Sequence, residues 1–222
     1  MSRLISFAKP PVAGDLLRGS PDTGSAETAH PTRHAHRDKA APAWRGSVGP
    51  RLETERLILR LHRTSDFEAL HALSAAPAMW LYSERGPMAR EESWARLLRH
   101  AGQWHLRGCG VFAIEEKETG ELVGEAGVSD FRRGLGADFD PFPEATWTVR
   151  PDRQGRGYAT EAARAALDWL ARAHGEPQTV CLIHADNMPS HRVAAKLGYA
   201  PFRELLYRGY PALLLRRDAR SG

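Results

Sequence analysis

The chain has 222 residues, 42% of them hydrophobic, and a formal net charge of +4 at pH 7. That suits one packed domain with an appendage, and no apolar run approaches the length of a membrane-spanning helix. The two cysteines, Cys109 and Cys181, form no metal-ligand or redox spacing, and a reducing cytoplasm fits them. Residues 1–50 carry 7 Lys+Arg against 4 Asp+Glu, with 6 Pro, 5 Gly and no sustained amphipathic period. They read as a disordered tail. Lys9, Pro10 and Pro11 interrupt its apolar pieces, so a signal peptide is not expected. His30, His34 and His36 form a metal-binding pattern weaker than the reading of a solvated tail. Residues 51–222 hold 24 Lys+Arg against 23 Asp+Glu. The basic excess therefore sits mostly in the tail, and the domain lacks the basic, aromatic-interleaved run that nucleic acid would need.

The expected domain spans residues 51–217, with 218–222 a short C-terminal tail. Leu57-Ile58-Leu59 gives a first strand, and Asp66 is placed to cap a helix carrying Phe67, Leu70 and Leu73 at helical spacing. A loop over Ser83 to Pro87 precedes a second helix through Trp94, Leu97 and Leu98. Val111 to Ile114 and Leu122-Val123 flank Glu118-Thr119-Gly120 as a hairpin. A loop from Arg132 to Pro143 leads into a strand over Ala145–Val149. A helix over Thr160–His174 places Ala163, Leu167 and Leu170 on one stripe. A strand follows over Thr179–His184. Pro189 suits the first turn of the next helix and Gly198 its C-terminal cap. Phe202 to Tyr207 and Pro211 to Leu215 close the domain as a hairpin turning near Gly209. The consistent picture is α/β: a mixed, highly twisted sheet with helices on both faces, its strand–helix–strand unit crossing right-handed between parallel neighbours.

The most informative stretch is Arg153-Gln154-Gly155-Arg156-Gly157-Tyr158-Ala159-Thr160, between a strand and a helix. A glycine-spaced turn there leaves backbone N–H groups pointing at one spot with the helix dipole behind them, which suits a phosphate or pyrophosphate. By itself the signal is weak, since many such turns merely end a strand. The loop lacks the Lys-Ser/Thr of a nucleoside-triphosphate P-loop and the third glycine of the dinucleotide fingerprint.

Gln154, Gly157 and Ala159 realise Q-x-x-G-x-A, which resembles the pyrophosphate loop of the GNAT superfamily of acyl-CoA-dependent N-acetyltransferases. Leu52 to Arg60 resembles the opening strand of the ribosomal-protein N-acetyltransferase branch (RimJ/RimL-like). Asn187 to Tyr199 is similar to that branch's N-x-x-S-x-x-V-x-x-K-L-G-F/Y segment. Three signatures in the family's order cover most of residues 51–217, and the family's fold matches the scaffold above.

The resemblance implies acetyl-CoA as acetyl donor, an amine acceptor and no metal. The amides of Gly155, Arg156, Gly157, Tyr158, Ala159 and Thr160 would hold the pyrophosphate, with Arg153 and Arg156 either adding charge or merely solvated. The edge of Trp147-Thr148-Val149 would take the pantetheine as an added strand. Asn187 would contact the pantetheine, or cap a helix, or both. A backbone N–H at a bulge of that strand, here Val149, would polarise the thioester. Many relatives use a tyrosine as acid where this chain has Ala194, and the branch offers a serine at Ser190, which is equally a plain helix-start residue. Glu144 stands where many relatives carry the carboxylate that deprotonates the amine, often through water. Its bland alternative is a solvated strand end. Asp130 and Glu125 are weaker candidates, and His184 is read as structural.

The implied function is acetyl transfer to a primary amine by direct attack in a ternary complex. The amine belongs to a protein N-terminus or a small molecule. Met79 to Arg90, Arg132 to Pro143 and Tyr207 to Tyr210 would decide which. The alternatives are a non-catalytic acyl-CoA sensor and, more remotely, an RNA- or ribosome-docking adaptor using the basic tail. A cytoplasmic monomer or homodimer is the family-level expectation.

Overall fold

A computed structural model describes residues 49–83, 86–175 and 177–219; the tail over residues 1–48, its three histidines included, lies outside the described residues. Among the described residues eight strands and four α-helices follow one another: β1 (Leu52–Glu53), β2 (Leu57–Arg60), α1 (Phe67–Ala75), α2 (Arg90–Arg107), β3 (Val111–Glu116), β4 (Leu122–Ser129), β5 (Glu144–Val149), α3 (Tyr158–His174), β6 (Thr179–His184), α4 (Met188–Lys196), β7 (Ala200–Tyr207) and β8 (Tyr210–Arg217). The strands form one sheet in the order β1-β2-β3-β4-β5-β6-β8-β7. Every neighbouring pair is antiparallel except β5 and β6, which are parallel.

Side-chain alternation along β4 shows why both faces are covered. Ala126 packs into the cluster of Phe112, Val149, Tyr158 and Ala162 beneath α3, whereas its neighbour Glu125 turns to the opposite face, against Arg96 and His100 of α2. A second cluster joins Ala163, Leu167 and Leu170 of α3 to Cys181 and Ile183 of β6 and Ala194 of α4. The apolar stripe expected of α3 is therefore buried as its spacing requires. Two glycines let the central strands approach closely. A Cβ on Gly124 would lie 2.2 Å from the Thr148 carbonyl oxygen, and one on Gly127 would lie 2.3 Å from that of Gly110.

Two local expectations are corrected. Asp66 precedes α1 without a side-chain capping bond. Its carboxylate instead receives the Arg60 guanidinium at 2.7 and 2.8 Å and the Arg63 N–H at 2.7 Å, because a buried charge is better matched by a bidentate cation than by one amide. Helix α3 begins at Tyr158, two residues earlier than its apolar period suggests, because Gly157 sits at its N-cap in the left-handed conformation.

Candidate active site

The parallel neighbours β5 and β6 share one bridge, Glu144 to Val180. Beyond it their ladder stops and a gap opens in the middle of the sheet. On its other side β5 stays in unbroken register with β4, from Ser129–Glu144 to Gly124–Val149. The expected bulge at Val149 is thus absent from that ladder, and the gap comes from strand divergence instead. The Arg150 N–H donates to the Val123 carbonyl at 2.8 Å, which makes Gly124–Val149 a non-hydrogen-bonded pair. By alternation, the N–H groups of Trp147 and Val149 face away from β4 and into the gap.

At the far end of β5 a short 3-10 turn, Pro151–Arg153, leads into the glycine loop. Gly155 and Gly157 have φ of 76° and 84°, a region that residues with a Cβ rarely enter. A Cβ at Gly155 would meet nothing within 4 Å, so backbone conformation rather than crowding selects glycine there. Gln154 does not face the loop's interior. Its Nε2 donates to the Val149 carbonyl at 2.9 Å and ties the loop to the strand end.

The first bond of α3 runs from the Glu161 N–H to the Gly157 carbonyl at 3.1 Å. The N–H groups of Tyr158, Ala159 and Thr160 precede it, and an N-cap glycine has no side chain to satisfy them. Their partial positive charge is fixed where the glycine loop enters α3; neither Val149 nor any residue from Gln154 to Thr160 lines the cavity between β5 and β6. Three buttresses hold this turn. Arg56 grips Glu161 at 2.6 and 2.8 Å and donates to the Arg156 carbonyl at 2.8 Å. The Tyr158 hydroxyl donates to buried Glu116 at 2.7 Å, and Arg153 Nε donates to the same carboxylate at 3.3 Å. Arg153 also pairs with Asp152 at 2.7 Å, so it serves the scaffold. Arg156 is half exposed, 4.0 Å from Glu116.

A cavity of about 210 Å³ occupies the gap, and Glu144, Trp147, Asn187 and Ser190 all line it. Glu144 is 5% exposed, which rules out a solvated strand end. Arg133 donates to both its carboxylate oxygens, at 2.6 and 2.7 Å, and with its remaining nitrogen to the Tyr207 hydroxyl at 2.8 Å. Burial pushes the Glu144 carboxyl above its ordinary range, and the Arg133 guanidinium pulls against that rise. Asn187 Oδ1 accepts from the Ser190 N–H at 3.1 Å, so Asn187 does cap α4 while lining the cavity.

The opposite wall is aromatic. His184 stacks on Tyr210 at 5.2 Å, and Tyr82 lies 5.7 Å from it. The Asp186 N–H donates to His184 Nδ1 at 3.1 Å, which leaves the proton of the neutral ring on Nε2. The three segments expected to decide the acceptor each supply a wall residue: Tyr82, Arg133 and Tyr210. Nothing in the sequence marks Arg133 as the partner of Glu144, since an irregular loop separates them. Asp130 and Glu125 do not line this cavity. Asp130 pairs with Arg132 and Arg107, and Glu125 turns to α2.

Comparison with known proteins gives the same architecture. The acetyltransferase (GNAT) domain family matches residues 56–200. A putative GnaT-family acetyltransferase from Bordetella pertussis is 34% identical, with a TM-score of 0.70, over 76% of this chain and 99% of that one. The uncharacterized N-acetyltransferase YnaD of Bacillus subtilis (strain 168) is 24% identical over 147 residues, 66% of this chain and 81% of its own length. RimL, a ribosomal L7/L12 alpha-N-protein acetyltransferase solved in complex with coenzyme A, shares the fold at 18% identity and a TM-score of 0.62, over 77% of this chain and 98% of that one.

Proposed function

The chain belongs to the acetyltransferase (GNAT) domain family, and from that premise we propose that it moves an acetyl group from acetyl-CoA to a primary amine by direct attack in a ternary complex. The observation that carries this reading is the alignment of two features. A row of N–H groups faces the gap beside β5, and the chain runs from the end of that strand through the glycine loop to the unfilled N–H groups that open α3. The amides of Gly155 to Thr160 take the pyrophosphate. The edge of Trp147 to Val149 takes the pantetheine as an added strand, and Asn187 contacts the same arm.

The Val149 N–H then points at the thioester carbonyl, where charge develops as the amine attacks. Glu144, its carboxyl pushed above the ordinary carboxylate range by burial, accepts the amine proton directly or through water. Collapse of the tetrahedral intermediate breaks the C–S bond, and Ser190 relays a proton to the leaving thiolate while taking one from solvent. The acceptor is a protein N-terminus of the ribosomal-protein kind or a small-molecule amine.

Gly157→Glu tests the cofactor site, because it sets bulk and negative charge where phosphate is to lie. Calorimetry is expected to show acetyl-CoA binding abolished, and unchanged affinity would remove the assignment. Thiol release over peptides, amino acids, polyamines and aminoglycosides tests the reaction. Acetyl-CoA binding without thiol release for any amine would instead make the protein a sensor of the cofactor.

A further inference from the structure

On the α2 face of the sheet, away from the cavity, His62, His100 and Glu125 each offer one ligand-type atom, all within 4.8 Å of one another. They come from three places: the turn after β2, the middle of α2 and the centre of β4. Their side chains are 1%, 5% and 1% exposed. His62 Nε2 lies 3.1 Å from Glu125 Oε1, and His100 Nε2 lies 2.9 Å from the same oxygen. Neither contact is a hydrogen bond. All four imidazole nitrogens and Glu125 Oε1 are buried with no hydrogen-bond partner.

Buried polar atoms seldom stay unpaired, and an ion would satisfy three of these five, the two Nε2 atoms and Glu125 Oε1. The geometry says which kind. A hydrogen bond needs the N–H to aim at its acceptor, and here the oxygen lies off the axis of both rings. Short but oblique approaches are what atoms sharing a central ion make. Ligands about 2.1 Å from one ion stand roughly 3.0–3.4 Å apart for openings between a right angle and the tetrahedral value, so the two nitrogen–oxygen distances fit as they stand, while a ligand pair as far apart as 4.8 Å has to close by more than about 1 Å when the ion enters. The ring centroids lie 4.9 Å apart with planes 16° from parallel. The rings therefore lie stacked, and one of them has to turn for both Nε2 lone pairs to meet at one ion.

We propose that His62 Nε2, His100 Nε2 and Glu125 Oε1 bind a divalent cation of the zinc class. Two imidazoles and one carboxylate suit a borderline ion, whereas magnesium and calcium want an all-oxygen shell. Arg96 holds the other carboxylate oxygen of Glu125. It fixes Glu125 as a one-oxygen ligand, and its positive charge lowers the affinity below that of a site without it. The ion pins α2 and the β2 turn to the sheet. This site shares no residue with the acetyl-transfer reading and stands apart from it.

The test uses the full chain, stripped with a chelator and titrated with zinc against a chromophoric competitor, with elemental analysis of the product. One zinc per chain and a melting temperature raised by zinc are expected. His100→Ala and His62→Gln each lower zinc affinity at least about tenfold and remove the thermal shift, while far-UV dichroism stays that of the parent. Should His100→Ala fail to fold, the milder His62→Gln decides the matter alone. Failure of the parent chain to take up stoichiometric zinc would mean that water fills the cluster, and would overturn the proposal. So would zinc affinity unchanged in His62→Gln, or magnesium bound as tightly as zinc.

Discussion

Glu144 shows how one side chain is tuned by two opposed forces. Its burial favours the neutral acid, while the bidentate grip of Arg133 favours the carboxylate. A base must be ionised to work, so activity is lost as pH falls through its pKa. Because that pKa is raised, the acid limb of kcat/KM is expected above the usual carboxylate range. Glu144→Gln should lower turnover, abolish that limb and leave acetyl-CoA affinity alone in calorimetry. Arg133→Met removes the opposing cation and should move the limb to still higher pH; a limb that stays put would separate Arg133 from the chemistry. The position of Glu144 at a strand start is legible in the sequence. Its burial and its partner are not, because Arg133 reaches it through a loop with no periodicity to read.

The elements around the gap depend on a few contacts that secondary-structure patterns do not encode. Gly124 reads as an ordinary strand residue, yet a Cβ there would collide with β5 backbone. Gly124→Ala is expected to destabilise the protein by about 1–3 kcal/mol, as overpacking against unyielding atoms does, and urea unfolding measures it. Tyr158 anchors the first turn of α3 to the buried Glu116 carboxylate, and that bond is the largest cause holding the Glu116 carboxyl below its ordinary range. Tyr158→Phe should cost about 1–2 kcal/mol at neutral pH. Glu116 with a depressed pKa contributes stability above its unfolded pKa and loses it as pH falls. The difference in stability between parent and Tyr158→Phe should therefore narrow on acidification, as urea titrations at several pH values would show.

Elements are legible in the sequence where a period or a glycine speaks. The stripe of α3, the proline and glycine bounding α4, and the hairpin tip at Arg208-Gly209, both at positive φ, follow from local chemistry. Long-range fits do not. The close approach of β4 to β5, and the parting of β5 from β6, depend on strands that local periodicity does not pair with one another. The site between them is therefore reached from the sequence only through the family resemblance.

Across the whole molecule, the proposed cofactor and catalytic residues all lie between Glu144 and Ser190. A chain lacking residues 1–48 is accordingly expected to bind acetyl-CoA with the parent's affinity, measured by calorimetry; a large loss would bring the tail into the site. Among the described residues no helix is long and apolar enough to cross a membrane.

The lone rung between β5 and β6 has a mechanical corollary. Two half-sheets, each stitched along its length, meet at Glu144–Val180 and are otherwise kept together by packing under α3 and α4. Such a seam is where the fold breathes most easily, and a molecule lying along β5 would suture it. Deuterium uptake should accordingly be faster at the amides of Trp147 and Val149 than at those of Thr146 and Thr148, which face β4, in the bare protein, and that contrast should shrink when acetyl-CoA is added.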